Sequence, residues 1–138
     1  MNPTLRNILA VIAGWIVGSV VNAGIVVLGQ RIYPIAGIKA KSSDELAAIM
    51  LGLDFNYFIF PFLAHALGTL VGSIIAASTA VSQKMKSAMA VGVLFLIGGI
   101  IACFMIPAPN WFIATDLILA YIPMAWIGGK IGKRISFK

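Results

Sequence analysis

The chain has 138 residues, of which 61% are hydrophobic and only 10% are charged, with a net charge of +6. A soluble domain is about half apolar and about a quarter charged, so these values exclude that class and indicate a membrane protein. The positive charge does not indicate nucleic-acid binding, because the basic residues lie at the ends of apolar segments and form no separate basic domain.

The first apolar segment covers residues 5–30. At about 1.5 Å per residue it is long enough to cross about 30 Å of hydrocarbon. Its basic start resembles a secretion signal, but apolar character continues to Leu28, beyond the usual length of such a signal, so we expect an uncleaved helix. Small residues recur at every fourth position here and in the second apolar segment, which predicts close helix contacts. The glycines assigned to this packing are Gly14, Gly18, Gly68 and Gly72.

The loop of residues 31–56 is the only connection long enough to contain structure of its own. Within it, Ser42 precedes Glu45 by three positions, which is the spacing of a helix-capping box. Apolar residues then recur at helical spacing, at Leu46, Ile49, Met50 and Leu53. We therefore expect a short amphipathic helix that seals the outer end of the bundle, with a moving lid as the alternative.

Three more apolar segments follow, at residues 57–81, 87–106 and 111–129. The connections between them contain two lysines in one case and two prolines in the other, and they are short enough to be turns. Pro123 lies inside the last segment, where it removes a backbone donor and predicts a helix break or kink. The predicted fold class is an all-α bundle of four transmembrane helices, with residues 1–138 as a single domain.

The charged residues are distributed unequally over the two sides that four crossings create. Seven basic residues fall on one side: Arg6, Lys84, Lys86, Lys130, Lys133, Arg134 and Lys138. The other side has three basic residues, Arg31, Lys39 and Lys41, and the four acidic residues fall towards it: Asp44, Glu45, Asp54 and Asp116. Because Lys and Arg favour the cytoplasmic side of a membrane, this pattern predicts that both termini are cytoplasmic.

Four polar residues in the outer half of the spans form a candidate polar layer: Asn22, His65, Thr69 and Asp116. An ionisable group inside a span indicates a function by default, because its cost must be offset by a partner or by water. His65 and Asp116 are the obvious pair, since a carboxylate fixes the imidazole tautomer and leaves the other ring nitrogen for a proton or a ligand. Two alternatives are a helix cap at Asp116 and a simple interhelical hydrogen bond from His65.

Two stretches of the later spans, residues 61–70 and 111–124, include His65, Asp116 and Pro123. They resemble a group of small bacterial four-span membrane proteins. The resemblance implies a bacterial inner-membrane location and carries no activity. The short-chain multidrug transporters share the size and the span number, but their first span contains a membrane-embedded glutamate that this chain lacks.

No motif for zinc, phosphate or dinucleotide binding occurs, and the only cysteine, Cys103, cannot form an intrachain disulfide. We expect no cofactor and no metal, and these absences disfavour an enzyme. The best hypothesis is small-solute or proton-coupled transport, for which four short spans need a homo-oligomer or a membrane partner. One alternative is a structural or accessory protein, and a third is a lipid-modifying enzyme with His65 as general base. The expected partners are membrane lipids and not nucleic acid, and the small-molecule ligand is unknown.

The charge pattern predicts which positions a membrane-impermeant thiol reagent reaches. A cysteine placed at Lys41 should react from the outer face, and a cysteine placed at Lys84 should not. Reversed labelling would contradict the orientation, and equal labelling of both positions would indicate insertion in two orientations.

Overall fold

The computed structural model describes residues 1–35 and 40–136, and this part of the chain contains six helices. In chain order they are α1 (Pro3–Ile32), α2 (Ser43–Leu51), α3 (Asn56–Thr79), α4 (Lys84–Met105), α5 (Asn110–Leu119) and α6 (Ile122–Arg134). Neither described stretch contains a strand, so the predicted all-α class is confirmed. Lys39 and Lys138, which belong to the predicted charge pattern, lie outside the described residues.

Four segments are long and apolar enough to cross a membrane: α1, α3, α4 and the α5–α6 pair, taken as Asn110–Arg134. The ends of these segments differ from the predicted boundaries by a few residues. The difference is largest at the fourth segment, because α6 continues past residue 129 to Arg134. Large apolar side chains cover the outside of the bundle, for example Val20, which is 67% exposed, and Ile16, which is 55% exposed. Such a surface is stable in lipid and unstable in water.

The two ends of the bundle differ in charge. At one end, here called the α2 end, α1 finishes, α2 lies and α3 begins, and Asp44, Glu45 and Asp54 are found there. At the other, here called the basic end, the chain starts and α6 finishes. The described basic residues of that end are Arg6, Lys84, Lys86, Lys130, Lys133 and Arg134.

Helix α3 is the centre of the bundle and packs against α1, α4 and α6, while α1 and α6 lie on opposite sides of it. Glycines make the contact with α1 close. A Cβ atom added at Gly72 would lie 2.6 Å from the Gly14 carbonyl oxygen, and one added at Gly68 would lie 2.8 Å from the Gly18 carbonyl oxygen. Without side chains at these positions the two backbones touch, which is how helices associate in lipid.

Glycines also make the contact between α3 and α6 close, on the side of α3 that faces away from α1. A Cβ atom added at Gly128 would lie 2.7 Å from the Leu70 carbonyl oxygen, and one added at Gly132 would lie 2.6 Å from the Ile74 carbonyl oxygen. Nearer the basic end, the contacts of α3 with α6 are therefore made largely by backbone and small side chains.

The fourth span is interrupted by two residues, Ala120 and Tyr121, between α5 and α6. Pro123 occupies the first turn of α6, where its missing N–H would have no helical partner in any case. The predicted break exists, but Pro123 starts a new helix rather than kinking a continuous one. Pro61, in contrast, lies inside α3, so this helix does not begin at that proline.

The loop helix α2 is capped as its sequence predicts, since the Ser42 hydroxyl accepts from the Glu45 N–H at 3.2 Å. The Glu45 carboxylate accepts in turn from the Lys41 N–H at 2.8 Å. The backbone of α2 makes no close approach to another described helix, and none of its residues is fully buried. It is held to the bundle only through side chains.

The glycine contacts predict a difference between two substitutions in the same helix. Gly14→Ala adds a methyl group against the Gly72 carbonyl oxygen and the Ala76 side chain, which should cost about 1–3 kcal/mol. Gly24→Ala meets nothing within 4 Å, so it should be neutral or stabilise the helix by up to about 1 kcal/mol. Thermal unfolding in detergent measures both. Equal effects would mean that α1 and α3 do not touch along this stripe.

Candidate functional site

A cavity of about 240 Å³ lies among α1, α3, α4 and α5 near the α2 end. Most of its lining is apolar, including Phe58, Ile106 and Phe112. Met50 of α2 and the following Leu53 cover it from the loop side. His65, Cys103 and Asp116 supply polar groups to the lining, so we call this space the polar-floored cavity.

His65 and Asp116, which are 51 positions apart in the chain, meet in this cavity. The Nδ1 atom of His65 lies 2.8 Å from Oδ1 and 2.9 Å from Oδ2 of Asp116. The carboxylate is buried, with 5% of its side chain exposed, whereas 25% of the His65 side chain is exposed. An interhelical contact is thus present. Asp116 lies in the interior of α5, so the alternative that it caps the helix is wrong.

Tyr121 completes the hydrogen bonding of the carboxylate. Its hydroxyl donates to Asp116 Oδ2 at 2.8 Å, and its ring stacks on the His65 ring with 5.7 Å between centroids. In a regular helix a residue five positions on would point to another face, so the break between α5 and α6 is what brings Tyr121 back to Asp116. Gly99 of α4 leaves the space that the Tyr121 hydroxyl occupies.

The contact assigns a role to each ring nitrogen once the carboxylate is ionised. An ionised carboxylate only accepts, and Nδ1 of His65 is then the donor in this pair. The other nitrogen, Nε2, has no hydrogen-bond partner among residues 1–35 and 40–136. Since the ring lines the polar-floored cavity, Nε2 is the atom that is left to bind a ligand or exchange a proton.

The structure places the other two residues of the candidate layer deeper than the cavity. Thr69 is fully buried one turn below His65 on α3, and its hydroxyl has no partner among the described residues. Asn22 belongs to α1 and lies next to Gly68 of α3. A Cβ atom added at Gly68 would be 3.0 Å from the Cβ atom of Asn22. Its Oδ1 atom is also buried and unpartnered within the described chain. Neither residue lines the cavity itself.

Cys103 and Tyr121 belong to this site although the sequence did not assign them to it. Cys103 lines the cavity from α4, but a single cysteine in an apolar helix has no periodic signal that separates it from a packing residue. The role of Tyr121 depends on the geometry of a two-residue break, and a proline predicts the break without predicting its geometry.

No set of three His, Cys, Asp or Glu side chains in the described part of the chain converges closely enough to hold a metal ion. The contact between His65 and Asp116 is suited to hydrogen bonding and proton transfer. A wider groove of about 440 Å³ at the basic end is lined by Lys84, Lys86 and Lys133. Lysines are common at the ends of membrane spans, so their presence alone does not indicate a ligand site in this groove.

Comparison of the chain with models of protein families, with curated proteins and with solved structures finds no match.

Removal of the Tyr121 hydroxyl tests whether the carboxylate needs its second donor. Tyr121→Phe leaves Asp116 Oδ2 without that donor in a buried position, which should cost about 1.5–3 kcal/mol of stability. Tyr33→Phe is the matched control, because the Tyr33 hydroxyl bonds no other described residue. Thermal unfolding in detergent compares them. A loss no larger than that of the control would remove Tyr121 from the site.

Proposed function

We propose that this protein is an oligomeric transporter of the bacterial inner membrane that exchanges a small, mostly apolar solute for protons. The observation that carries the proposal is that His65 lines an apolar cavity with its Nδ1 atom held by Asp116, while Nε2 has no partner among the described residues. An ionisable pair inside a span is costly to keep, and a proton or substrate site is the usual reason for one.

The charge of the pair favours particular solutes. With Asp116 ionised, the pair carries a charge of about −1 when Nε2 is bare and about zero when Nε2 is protonated. It is never positive, so it disfavours anions and favours a cation or another hydrogen-bond donor. A donor from the solute and a proton compete for the same nitrogen lone pair. Binding of the solute therefore releases the proton, which is the coupling that an exchanger needs.

The cavity also restricts the size of the solute. A cavity of 150 Å³ holds benzene, so about 240 Å³ admits roughly ten non-hydrogen atoms. The apolar lining requires an apolar body, and His65 requires one donor group at its end. A small aromatic amidinium such as benzamidine has these properties and crosses lipid slowly on its own.

The proposal of an oligomer is supported by the close packing of the bundle below the cavity. There, glycine contacts bring α1 and α6 against the backbone of α3. A route to the basic end requires either separation of these helices or a path at an interface between copies. In the proposed orientation the α2 end faces outwards and the basic end faces the cytoplasm.

A lipid-modifying enzyme is the second candidate, and one observation favours it. A carboxylate on Nδ1 with a free Nε2 is the arrangement by which a histidine acts as general base. Cys103 in the same cavity offers a nucleophile type, although no short contact joins it to His65. An accessory protein would use the same contacts only for packing, and its His65 would not need to change its protonation.

The single cysteine allows a direct test of solute binding. Benzamidine should slow the reaction of Cys103 with N-ethylmaleimide in the purified protein, because both occupy the polar-floored cavity. In proteoliposomes that contain a pH-sensitive dye, benzamidine uptake should release protons from the interior. Asp116→Asn and His65→Gln should lower this exchange about tenfold or more, since each removes part of the competition at Nε2.

Thr115→Val is the matched control for these variants, because Thr115 is next to Asp116 but its hydroxyl donates to the Trp111 carbonyl. It should behave like the parent. Protection of Cys103 without proton exchange would favour a lipid-modifying enzyme or an accessory protein. Absence of both in the parent would contradict the proposal for this class of solute.

A further inference from the structure

The groove of about 440 Å³ at the basic end, here called the basic groove, is formed by two separate parts of the chain. One part is residues 81–86, which connect α3 to α4 and begin α4, and the other is Lys133 in the last turn of α6. Both parts contribute cations to the lining, which contains Lys84, Lys86 and Lys133. A cleft lined by charges of one sign concentrates their field and attracts counter-ions more strongly than scattered surface charges do.

No carboxylate side chain neutralises these lysines. The chain has four Asp and Glu residues in all, and none of them lies at the basic end. The one ion pair among residues 1–35 and 40–136 joins His65 to Asp116, near the α2 end. Lys84 is partly buried, and its ammonium group donates to the Ser136 hydroxyl, which is a neutral acceptor. The basic groove therefore holds positive charge that an anion can complement.

The backbone at the start of α4 adds further donors to the same groove. Gln83, the N-cap residue, makes no side-chain hydrogen bond to the first turn. The Ser87 N–H donates to the Gln83 carbonyl, but the N–H groups of residues 84–86 have no acceptor among the described residues. Free N–H groups at a helix start favour an anion. This helix end alone would not define a site, but residues 84–86 also line the groove.

The position of the basic groove favours the phosphate of a membrane lipid over a soluble anion. The groove is level with the end of α3, the start of α4 and the end of α6, which belong to three apolar spans, so it lies at the depth of the lipid headgroups. Two apolar side chains share its lining, Met85 and Val81, and Val81 is 46% exposed. A lining of cations beside apolar groups suits a phosphate that continues into acyl chains.

The size of the basic groove also suits a lipid headgroup. A cavity of about 150 Å³ holds benzene, so about 440 Å³ has room for a phosphoglycerol headgroup of about ten non-hydrogen atoms.

We infer that the basic groove binds the phosphate of an anionic phospholipid, with Lys84, Lys86 and Lys133 as its cationic partners. A phosphate in this position joins the connection between α3 and α4 to the last turn of α6. The inference does not depend on the proposed exchange of a solute for protons, because the polar-floored cavity lies near the other end of the bundle.

Two methionines allow a test in the unmodified sequence. Met85 lines the basic groove, and Met50 lines the polar-floored cavity. Dioleoylphosphatidylglycerol, added to the purified protein in a neutral detergent, should shift the methyl NMR signal of Met85 in a saturable way. Dioleoylphosphatidylcholine has the same chains and no net charge, and it should not do so. The Met50 signal should respond equally to the two lipids.

Two double variants separate a site from a general attraction to positive charge. Lys84→Gln with Lys133→Gln removes two cations from the groove. The loss of two direct contacts with the phosphate should weaken binding of dioleoylphosphatidylglycerol about tenfold or more. The rise of the thermal midpoint with lipid concentration measures this affinity.

The matched control is Lys130→Gln with Arg134→Gln, which removes two cations from the same end of the bundle but none from the groove lining. Lys130 lies instead over the Trp126 ring, with its Nζ atom 3.8 Å from the ring centroid. In about 0.15 M salt, charges outside the groove are screened, so this variant should lose about threefold or less in affinity.

Glycerol 3-phosphate distinguishes a lipid from a soluble anion, because it has the phosphate without the chains. It should bind about tenfold or more weakly than the lipid, and equal binding would overturn the assignment to a lipid. Equal losses in the two double variants would show a general attraction to charge and overturn the site. A Met85 signal that shifts equally with both lipids would also overturn it. If the groove variant does not fold, the Met85 signal of the parent decides alone.

Discussion

The burial of one carboxylate among apolar helices is the constraint on which the arrangement of the helices near the α2 end depends. Asp116 is 3% exposed, and an ion in such a position costs several kcal/mol unless good partners offset it. Its two partners come from separate elements: His65 from α3 and Tyr121 from beyond the end of α5. Helix α5 must therefore face α3, and the fourth span must break before Tyr121. A straight fourth helix would leave His65 as the only donor to the carboxylate among the described residues.

The position of the cavity follows from an unequal distribution of side-chain size along the helices. Near the α2 end, aromatic rings meet across helices, with 5.0 Å between the centroids of Phe58 and Phe112 and 5.7 Å between those of Tyr33 and Tyr57. Near the basic end, Gly72 and Gly132 let α1 and α6 touch the backbone of α3. Large residues separate the helices and small residues bring them together. Space for a ligand is thus left at the α2 end, where the ionisable pair lies.

Much of the fold could be predicted from the sequence, because its signals are local. Length and apolar character indicate the four segments, four-residue spacing indicates the glycine contacts, and the Ser42–Glu45 spacing indicates the cap of α2. The sequence supports the pairing of His65 with Asp116 only as a hypothesis. Two residues at similar depth meet only if their helices are rotated towards each other, and a single sequence contains no direct measure of that rotation.

The remaining features of the site could not be predicted because they depend on three-dimensional geometry. Tyr121 reaches Asp116 through backbone angles of −113° and −77° in the break, which no residue type at this position dictates. Cys103 reaches the cavity because α4 presents that face to α3 and α5. The unpartnered state of Thr69 also depends on the rotamer of its side chain. In each case the sequence identifies the residue and its element, and the packing of other elements gives it a role.

The three candidate functions differ in what happens at a single atom. In an accessory protein Nε2 of His65 keeps one state, and the pair serves only to orient α5 on α3. In an enzyme Nε2 takes a proton from a bound molecule and returns it on the same side of the membrane. In an exchanger it takes the proton from one side and releases it to the other. Only the last requires His65 to be reached by protons from both sides of the membrane.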